Sequence, residues 1–224
     1  MIDIVFPRLC LSCGFPGLFL CGRCRDRLEH IKDTACFYCE KKTPWGQVHT
    51  RCVRHGEIDG LLAAVWYSET IRKVIHSIKY GGAYAAVPEV FWGLSPLALA
   101  NLGKLLRHTG PLGIQPVPLH PSRMRERGFN QAALLARMLV RLTGMAAVNV
   151  LVRNKSTSAQ AGTTSRVARI LNMRGAFSVS TSLPCRGILL VDDVVTTGST
   201  VKEAARTLKK AGAEAVYVWC LARD

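Results

Sequence analysis

The stretch Gly187-Ile188-Leu189-Leu190-Val191-Asp192-Asp193-Val194-Val195-Thr196-Thr197-Gly198-Ser199-Thr200 decides how the rest of the chain is read. The unbroken apolar run Ile188 to Val191 is what a strand buried on both faces requires. Two carboxylates follow it, then a short hydroxyl-rich turn around Gly198. Beyond the turn, Val201, Ala204, Ala205 and Leu208 lay an apolar stripe at helical spacing, closed by Gly212. Strand, turn and helix in this order place the turn at the C-terminal edge of a sheet, where open α/β sheets bind ligands. Amide N–H groups of the turn and of the helix start would point at an anion. Gly198 lets a phosphate approach the backbone closely. Thr196, Thr197, Ser199 and Thr200 add hydroxyl donors, and Asp192 and Asp193 can accept hydrogen bonds from sugar hydroxyls. The plain alternative is a strand-end turn with Ser199 or Thr200 as a helix cap; the run Thr-Thr-Gly-Ser-Thr favours phosphate. No GxxxxGK[ST] string occurs in the chain, which excludes a Walker-type NTPase on pattern.

Working outward, strands and helices alternate. Leu61 to Tyr67 reads as a strand. Ile71, Val74, Ile75 and Ile78 mark a helix stopped by Tyr80-Gly81-Gly82. A second helix is predicted near Leu94 to Arg107, and a Pro-rich strand over Gln115 to Leu119. Ala132, Leu135, Leu139 and Leu142 stripe a helix over Asn130 to Thr143. Asn154 to Ser165 reads as a mobile polar loop, Arg166 to Met173 as a short helix, and Ala215 to Leu221 as the last strand. This alternation implies an α/β domain with a mostly parallel sheet.

The first 57 residues have a different texture. Seven of the chain's nine cysteines lie there, with little apolar periodicity. So small a module needs a staple, and in a cytosolic chain that staple is metal rather than disulfide. Cys10-x-x-Cys13 and Cys21-x-x-Cys24 form one set of zinc knuckles. Cys36-x-x-Cys39 and Cys52-x-x-His55 form a second, with His49 as a lesser alternative ligand; crosswise pairing of the knuckles stays open. Closed four-ligand sites are structural, so two Zn²⁺ ions would fold the module and do no chemistry. The expected division is a zinc module over residues 1–57 and an α/β domain over 58–224.

Arg123, Arg125 and Arg127 crowd the segment between the Pro-rich strand and the helix that begins near Asn130. Arginine suits bidentate contact with phosphate oxygens. The cluster would hold a pyrophosphate, or follow a nucleic-acid backbone with Phe129 stacked on a base, or be a solvated turn with Phe129 as a core anchor. The chain carries 30 Lys and Arg against 15 acids, a formal charge of +15 that suits polyanions and phosphorylated ligands. No apolar run is long enough to span a bilayer. Met1 to Cys10 lacks the basic start and long apolar block of a signal peptide, so the expected location is the cytoplasm, without membrane insertion.

The run from Asp192 to Thr200 resembles the motif that binds phosphoribosyl pyrophosphate (PRPP) in type I phosphoribosyltransferases. Pro116-Val117-Pro118-Leu119-His120-Pro121-Ser122-Arg123-Met124-Arg125-Glu126-Arg127-Gly128-Phe129-Asn130-Gln131, together with Ile78-Lys79-Tyr80-Gly81-Gly82 and the cysteine pairs, resembles the hallmark of the ComF family. Arg153, Thr157, Gln160, Arg169, Asn172, Ala176 and Phe177 fit that family's spacing, so the likeness spans nearly the whole chain. It implies a type I phosphoribosyltransferase-like sheet flanked by helices behind a double zinc ribbon. It implies PRPP with Mg²⁺ as ligand: Asp192 and Asp193 on the ribose, Val194, Val195, Thr196, Thr197, Gly198, Ser199 and Thr200 around the 5-phosphate, and Arg123, Arg125 and Arg127 on the pyrophosphate. Any transfer chemistry would fall to Asp192, Asp193 and Arg123. It further implies a cytoplasmic role in DNA uptake or DNA utilisation, handling single-stranded DNA with Lys79, Arg127, Phe129 and Arg153 as contacts. Family members commonly carry Cys where this chain has His55.

Three classes of function are compatible with these residues. One is a phosphoribosyl transferase. One is a nucleic-acid-binding protein that keeps PRPP binding. One is an adaptor that reaches a helicase or other competence or DNA-processing protein through its zinc module.

Overall fold

The computed structural model describes residues 8–53, 57–156 and 172–224. A four-stranded sheet forms the centre: β1 (Gly60–Trp66), β2 (Gly113–Pro116), β5 (Gly187–Val195) and β6 (Ala215–Arg223), in the order β1-β6-β5-β2. Every pairing in it is parallel. A parallel bridge from Ile114 to Ala147 continues the sheet past β2. A separate antiparallel pair joins β3 (Leu151–Arg153) to β4 (Phe177–Val179); the sequence had not signalled it, because each strand is only three residues long. The helices are α1 (Gly22–Arg25), α2 (Glu69–Tyr80), α3 (Val87–Leu94), α4 (Pro96–Thr109), α5 (Pro121–Arg127), α6 (Gln131–Thr143) and α7 (Ser199–Lys210). None of the described helices is long and apolar enough to cross a membrane.

The central strands carry near-continuous apolar runs, such as Ile188 to Val191 and Val216 to Ala222, because both faces of the sheet are covered. Successive residues then sort to opposite sides. Leu189, Val191, Trp219 and Leu221 face α2, α3, α4 and α6, where Ile71, Phe91, Leu102 and Leu135 meet them. Ile188, Leu190, Val216, Val218 and Cys220 face α7 and the β3–β4 pair, against Val201, Ala205, Leu208 and Phe177. Phe91 and Trp219 stack across the first layer with ring centroids 5.5 Å apart.

The cysteine-rich segment covers one edge of this sheet. The Ile31 N–H donates to the Ala64 carbonyl at 3.0 Å, the Trp66 N–H donates to the Glu29 carbonyl at 2.9 Å, and His30 bridges Val65 antiparallel. The N–H and C=O groups of β1 are therefore not a bare template for association. Cys10, Leu20, Cys21, Cys24 and Leu28 are themselves part of the first apolar cluster.

Several element bounds differ from the sequence expectations for visible reasons. The Pro-rich strand covers Gly113–Pro116 rather than Gln115 to Leu119, since neither Pro116 nor Pro118 can donate to a ladder. The arginine cluster is helical: Pro121 opens α5, the His120 ring accepts from the Ser122 N–H, and Gly128 at φ 75° ends it. Strand β5 runs on through Asp192 and Asp193 to Val195, so both acids sit within its C-terminal end. Of the helix expected over Arg166 to Met173, residues 166–171 lie outside the described residues.

Candidate functional site

At the C-terminal edge of β5, Asp192 and Asp193 turn their carboxylates into a cationic surround. Asp192 Oδ1 accepts from the Asp193 N–H and Asp193 Oδ1 from the Val194 N–H, both at 2.9 Å. Asp193 is 8% exposed. Lys79, from the last turn of α2, reaches over it and places Nζ 2.6 Å from Oδ2. Ser68 caps the start of that helix and Gly81 closes its end, which fixes where Lys79 emerges.

Three arginines complete the surround. Burial, then repulsion from Arg123 and Arg127, pulls the Arg153 guanidinium below its ordinary range, against attraction from Asp192. Arg127 lies over the Tyr80 ring, its Cζ 4.9 Å from the centroid, and donates to Tyr80 Oη at 2.9 Å. Lys79 and Arg153 thus act on the two carboxylates, with Arg127 near both cations and Arg123 near Arg153, leaving an excess of positive charge at the strand ends. Arg125, on the same short helix, is exposed.

The acids respond to this surround unequally. Burial, with the charge of Asp193 beside it, pushes the Asp192 carboxyl up to about 7, partly opposed by Lys79, by the Asp193 N–H and by Arg153. Burial works against the Lys79 ammonium and is the largest single influence, but the charge and hydrogen bond of Asp193, together with the charge of Asp192, outweigh it and raise Lys79 above its ordinary range.

The turn after β5 forms a shallow recess lined by Asp192 and Val194 through Val201. Gly198 caps α7 at φ 72°. Within the turn, the Thr197 hydroxyl donates to Ser199 Oγ at 3.2 Å and the Ser199 N–H reaches Thr197 Oγ1 at 3.4 Å. Among the described residues the amides of Thr197 and Gly198 donate to no protein acceptor. A twelve-residue helix begins here, so its free N–H groups and positive dipole end face the recess. On the other side of Asp193, Ile75, Ile78, Val87, Gln131, Leu135 and Leu221 line a small apolar recess. Gln131 is 4% exposed, and its Nε2 has no protein partner among the described residues.

Of the residues the sequence offered as nucleic-acid contacts, Arg153 is attracted by Asp192, Lys79 is engaged with Asp193, and Arg127 lies on Tyr80 near both cations. Phe129 is half-buried and packs on the first core cluster, its ring 5.7 Å from that of Tyr84. Exposed aromatics near this edge include Tyr80, Tyr84 and, at the end of β1, Trp66. Tyr80 belongs to a quoted motif, but its partner Arg127 is 47 residues away, and no local pattern signals such a pairing. Thr157, Gln160 and Arg169 lie outside the described residues.

Two metal-type clusters stand in the N-terminal segment, each with its ligand atoms within 4.8 Å of one another: Cys10, Cys13, Cys21 and Cys24, and Cys36, Cys39, His49 and Cys52. In the first, Cys13 Sγ and Cys21 Sγ are 3.7 Å apart, which fits the edge of about 3.8 Å that a tetrahedron with ~2.3 Å Zn–S bonds requires. In the second, His49 Nδ1 lies 3.3 Å from Cys39 Sγ while Nε2 lies 3.2 Å from the Lys42 carbonyl. That carbonyl would hold the Nε2–H tautomer and leave Nδ1 for a metal. His49, the lesser alternative on spacing, thus occupies the fourth corner; His55 lies outside the described residues. The donor sets fit Zn²⁺ in two closed, structural sites. Cys185 and Cys220 stand apart, with Cys220 fully buried in the second core cluster.

Comparison with known proteins agrees with this geometry. Residues 1–53 match the double zinc ribbon domain and residues 126–224 the phosphoribosyl transferase domain. The chain is 32% identical to competence protein F of Haemophilus influenzae over 96% of its own length and 90% of that protein's. It is 33% identical to the DNA utilization protein YhgH of Escherichia coli, over 96% and 84%. Competence protein ComFC of Streptococcus pneumoniae is 24% identical, over 91% and 87%.

Proposed function

The chain belongs to the ComF family, and from that premise we propose that it is a PRPP-binding protein of DNA uptake or DNA utilisation, with a zinc module over residues 1–57 and a phosphoribosyltransferase-like domain over residues 58–224. The observation that carries the reading is the meeting of Lys79 with Asp193 and of Arg153 with Asp192, with Arg127 and Arg123 adjoining those cations, beside a turn in which the amides of Thr197 and Gly198 donate to no protein acceptor among the described residues. A sugar that bears a phosphate on one side and a pyrophosphate on the other needs this arrangement: acceptors for its hydroxyls in the middle, N–H donors at one end and guanidinium groups at the other.

Asp192 and Asp193 accept from the ribose hydroxyls, with Asp193 released from Lys79 as they arrive. Residues Val194 to Thr200 hold the 5-phosphate. Arg123 and Arg127 face the pyrophosphate, with exposed Arg125 at its margin. Mg²⁺ is held chiefly by the ligand's own oxygens. Where an acceptor is present, cations fixed around the leaving pyrophosphate stabilise the charge that develops on it. The names of the relatives support a setting in DNA uptake or utilisation, where the same cations and exposed Tyr80 would meet single-stranded DNA. A helicase or another DNA-processing protein is the partner class that fits this setting, and the cytoplasm its location.

PRPP with Mg²⁺ tests the reading. At one hundred times Kd, a ligand bound only by the folded state adds about 2.7 kcal/mol, which raises the thermal midpoint of a chain this size by roughly 5–10 °C. Asp193→Asn combined with Thr197→Val removes the shift. An unchanged midpoint of the native chain at saturating PRPP overturns the proposal.

A further inference from the structure

Phe37 lies inside the first knuckle of the second zinc set, Cys36-Phe37-Tyr38-Cys39, and its ring rests on the turn that follows β5. A methyl group added to Gly198 would overlap Phe37 Cζ and would stand 3.3 Å from each Cε. The knuckle also holds the helix behind the turn. Lys202 of α7 places Nζ 5.0 Å from the Phe37 ring centroid and 5.1 Å from that of Tyr38. Arg223, paired with Val195 in the sheet, places Cζ 5.4 Å from the Phe37 centroid. Tyr38 Oη donates to Glu57 Oε2 at 2.6 Å, and Glu57 Oε1 accepts from Arg206 of α7, also at 2.6 Å.

We propose that Phe37 is a positioning residue for the phosphate turn, and that the second metal centre sets the turn's affinity for a phosphate monoester by holding Phe37 in place. This rests on the reading of residues Val194 to Thr200 as a phosphate cradle. Gly198 sits at φ 72°, a conformation that gives its neighbours' amides their direction and that the turn leaves readily when nothing fills the space beside it. The Phe37 ring fills that space. The turn is therefore ordered before an anion arrives, and the ordering entropy is not charged against binding. Loss of the metal releases the Cys36–Cys39 knuckle, and with it the ring. The first ribbon supplies an internal control. Its Cys10, Leu20 and Cys24 pack with the cluster on the opposite face of the sheet, whereas Phe37 and Tyr38 pack with the cluster on the α7 face.

The test compares the metal-loaded native chain with Phe37→Ala, Phe37→Leu and, as the control on the other face, Leu20→Ala. Metal content, PRPP–Mg²⁺ affinity by calorimetry and amide exchange across residues 194–201 are measured for each. The expected result for Phe37→Ala is full metal content, binding weakened about tenfold, as the ordering of one or two residues implies, and faster exchange confined to the turn. Phe37→Leu recovers part of both, and Leu20→Ala lowers stability without altering either. If Phe37→Ala sheds metal, Phe37→Leu, which keeps an apolar side chain in the knuckle, bears the comparison alone. Native affinity and native exchange in the Phe37 variants overturn the inference and leave PRPP binding intact. A native chain that ignores PRPP overturns the cradle, and the exchange data then decide whether Phe37 orders the turn.

Discussion

Lys79 Nζ and Asp193 Oδ2 meet at 2.6 Å, bringing the last turn of α2 onto the C-terminal end of β5. The two side chains are 22% and 12% exposed, so the pair is screened far less than a surface ion pair. It neutralises one of the two acids in the ligand-free chain and puts a cation where a ribose hydroxyl would arrive. On the proposed reading, ligand binding would be an exchange, in which Asp193 trades the ammonium for hydroxyl donors and Lys79 turns to the ligand's phosphate oxygens.

Lys79→Met strands the Asp193 carboxylate in that setting. Removing one partner of a buried pair costs about 3–5 kcal/mol, and residual exposure places this pair toward the lower end. The thermal midpoint should drop by roughly 6–12 °C. Lys79→Met with Asp193→Asn should regain most of the loss, because no unpaired charge remains. A Lys79→Met midpoint equal to the native one would show that the pair carries no weight.

The chain's sequence announced this edge but not this pairing. Ile188 to Val191 declared a strand buried on both faces, and Gly198 with its hydroxyl neighbours declared an anion turn; both signals are local, spread over fewer than fifteen residues. Lys79 lies 114 positions before Asp193, and Phe37 lies 161 before Gly198, so only the folded topology brings either to its partner. The arginine segment failed in the opposite sense. Its chemistry was legible and its conformation was not, since a seven-residue helix opened by Pro121 and closed by Gly128 has too few turns to print a period.

Asp192→Asn should change how stability depends on pH. In the folded chain burial and the neighbouring Asp193 hold the Asp192 carboxyl near 7, against about 3.9 in an unfolded chain. Between those values the folded state keeps a proton that the unfolded state has released, so the native chain loses stability as pH rises across this window. Asparagine has no such proton. The midpoint of Asp192→Asn relative to the native chain should therefore climb from pH 5 to about pH 7 and level off toward pH 8, measured by scanning calorimetry in buffers of matched ionic strength. A constant difference across that range would mean that Asp192 titrates like an exposed carboxylate.

Chelation should destabilise the whole chain rather than melt a separate module. The thiolates of the first cluster lie among core side chains, the Leu20 N–H donates to Glu89 Oε1 of α3 at 2.9 Å, and residues 29–31 seal the β1 edge. Metal removal takes away a staple worth many kcal/mol in isolated zinc modules and bares a strand edge. The expected trace is one cooperative transition displaced to lower temperature, followed by aggregation. Two resolved transitions, with the upper one at the native midpoint, would show that the α/β domain stands without its ribbons.

Single-stranded DNA and PRPP should compete, because on the proposed reading the cations that would face a pyrophosphate are those a nucleic-acid backbone would neutralise. Each phosphate contact adds about −0.7 to the slope of log K against log salt for single strands. Four cations at this edge would give a slope near −3, equivalent to roughly a fiftyfold loss between 50 and 200 mM salt. Arg127→Gln should flatten the slope by about 0.7. It should weaken PRPP binding as well, while Arg51→Gln, a substitution in the cysteine-rich segment, should leave PRPP affinity alone. Tyr80 loses the guanidinium 4.9 Å from its ring in the same variant, so any base stacking on that face weakens with it. Fluorescence anisotropy with a labelled oligonucleotide, repeated at saturating PRPP–Mg²⁺, reads both quantities. If PRPP leaves the DNA isotherm unmoved at every salt concentration, the two ligands occupy different faces, and the excess charge at the ends of β5 serves the sugar phosphate alone.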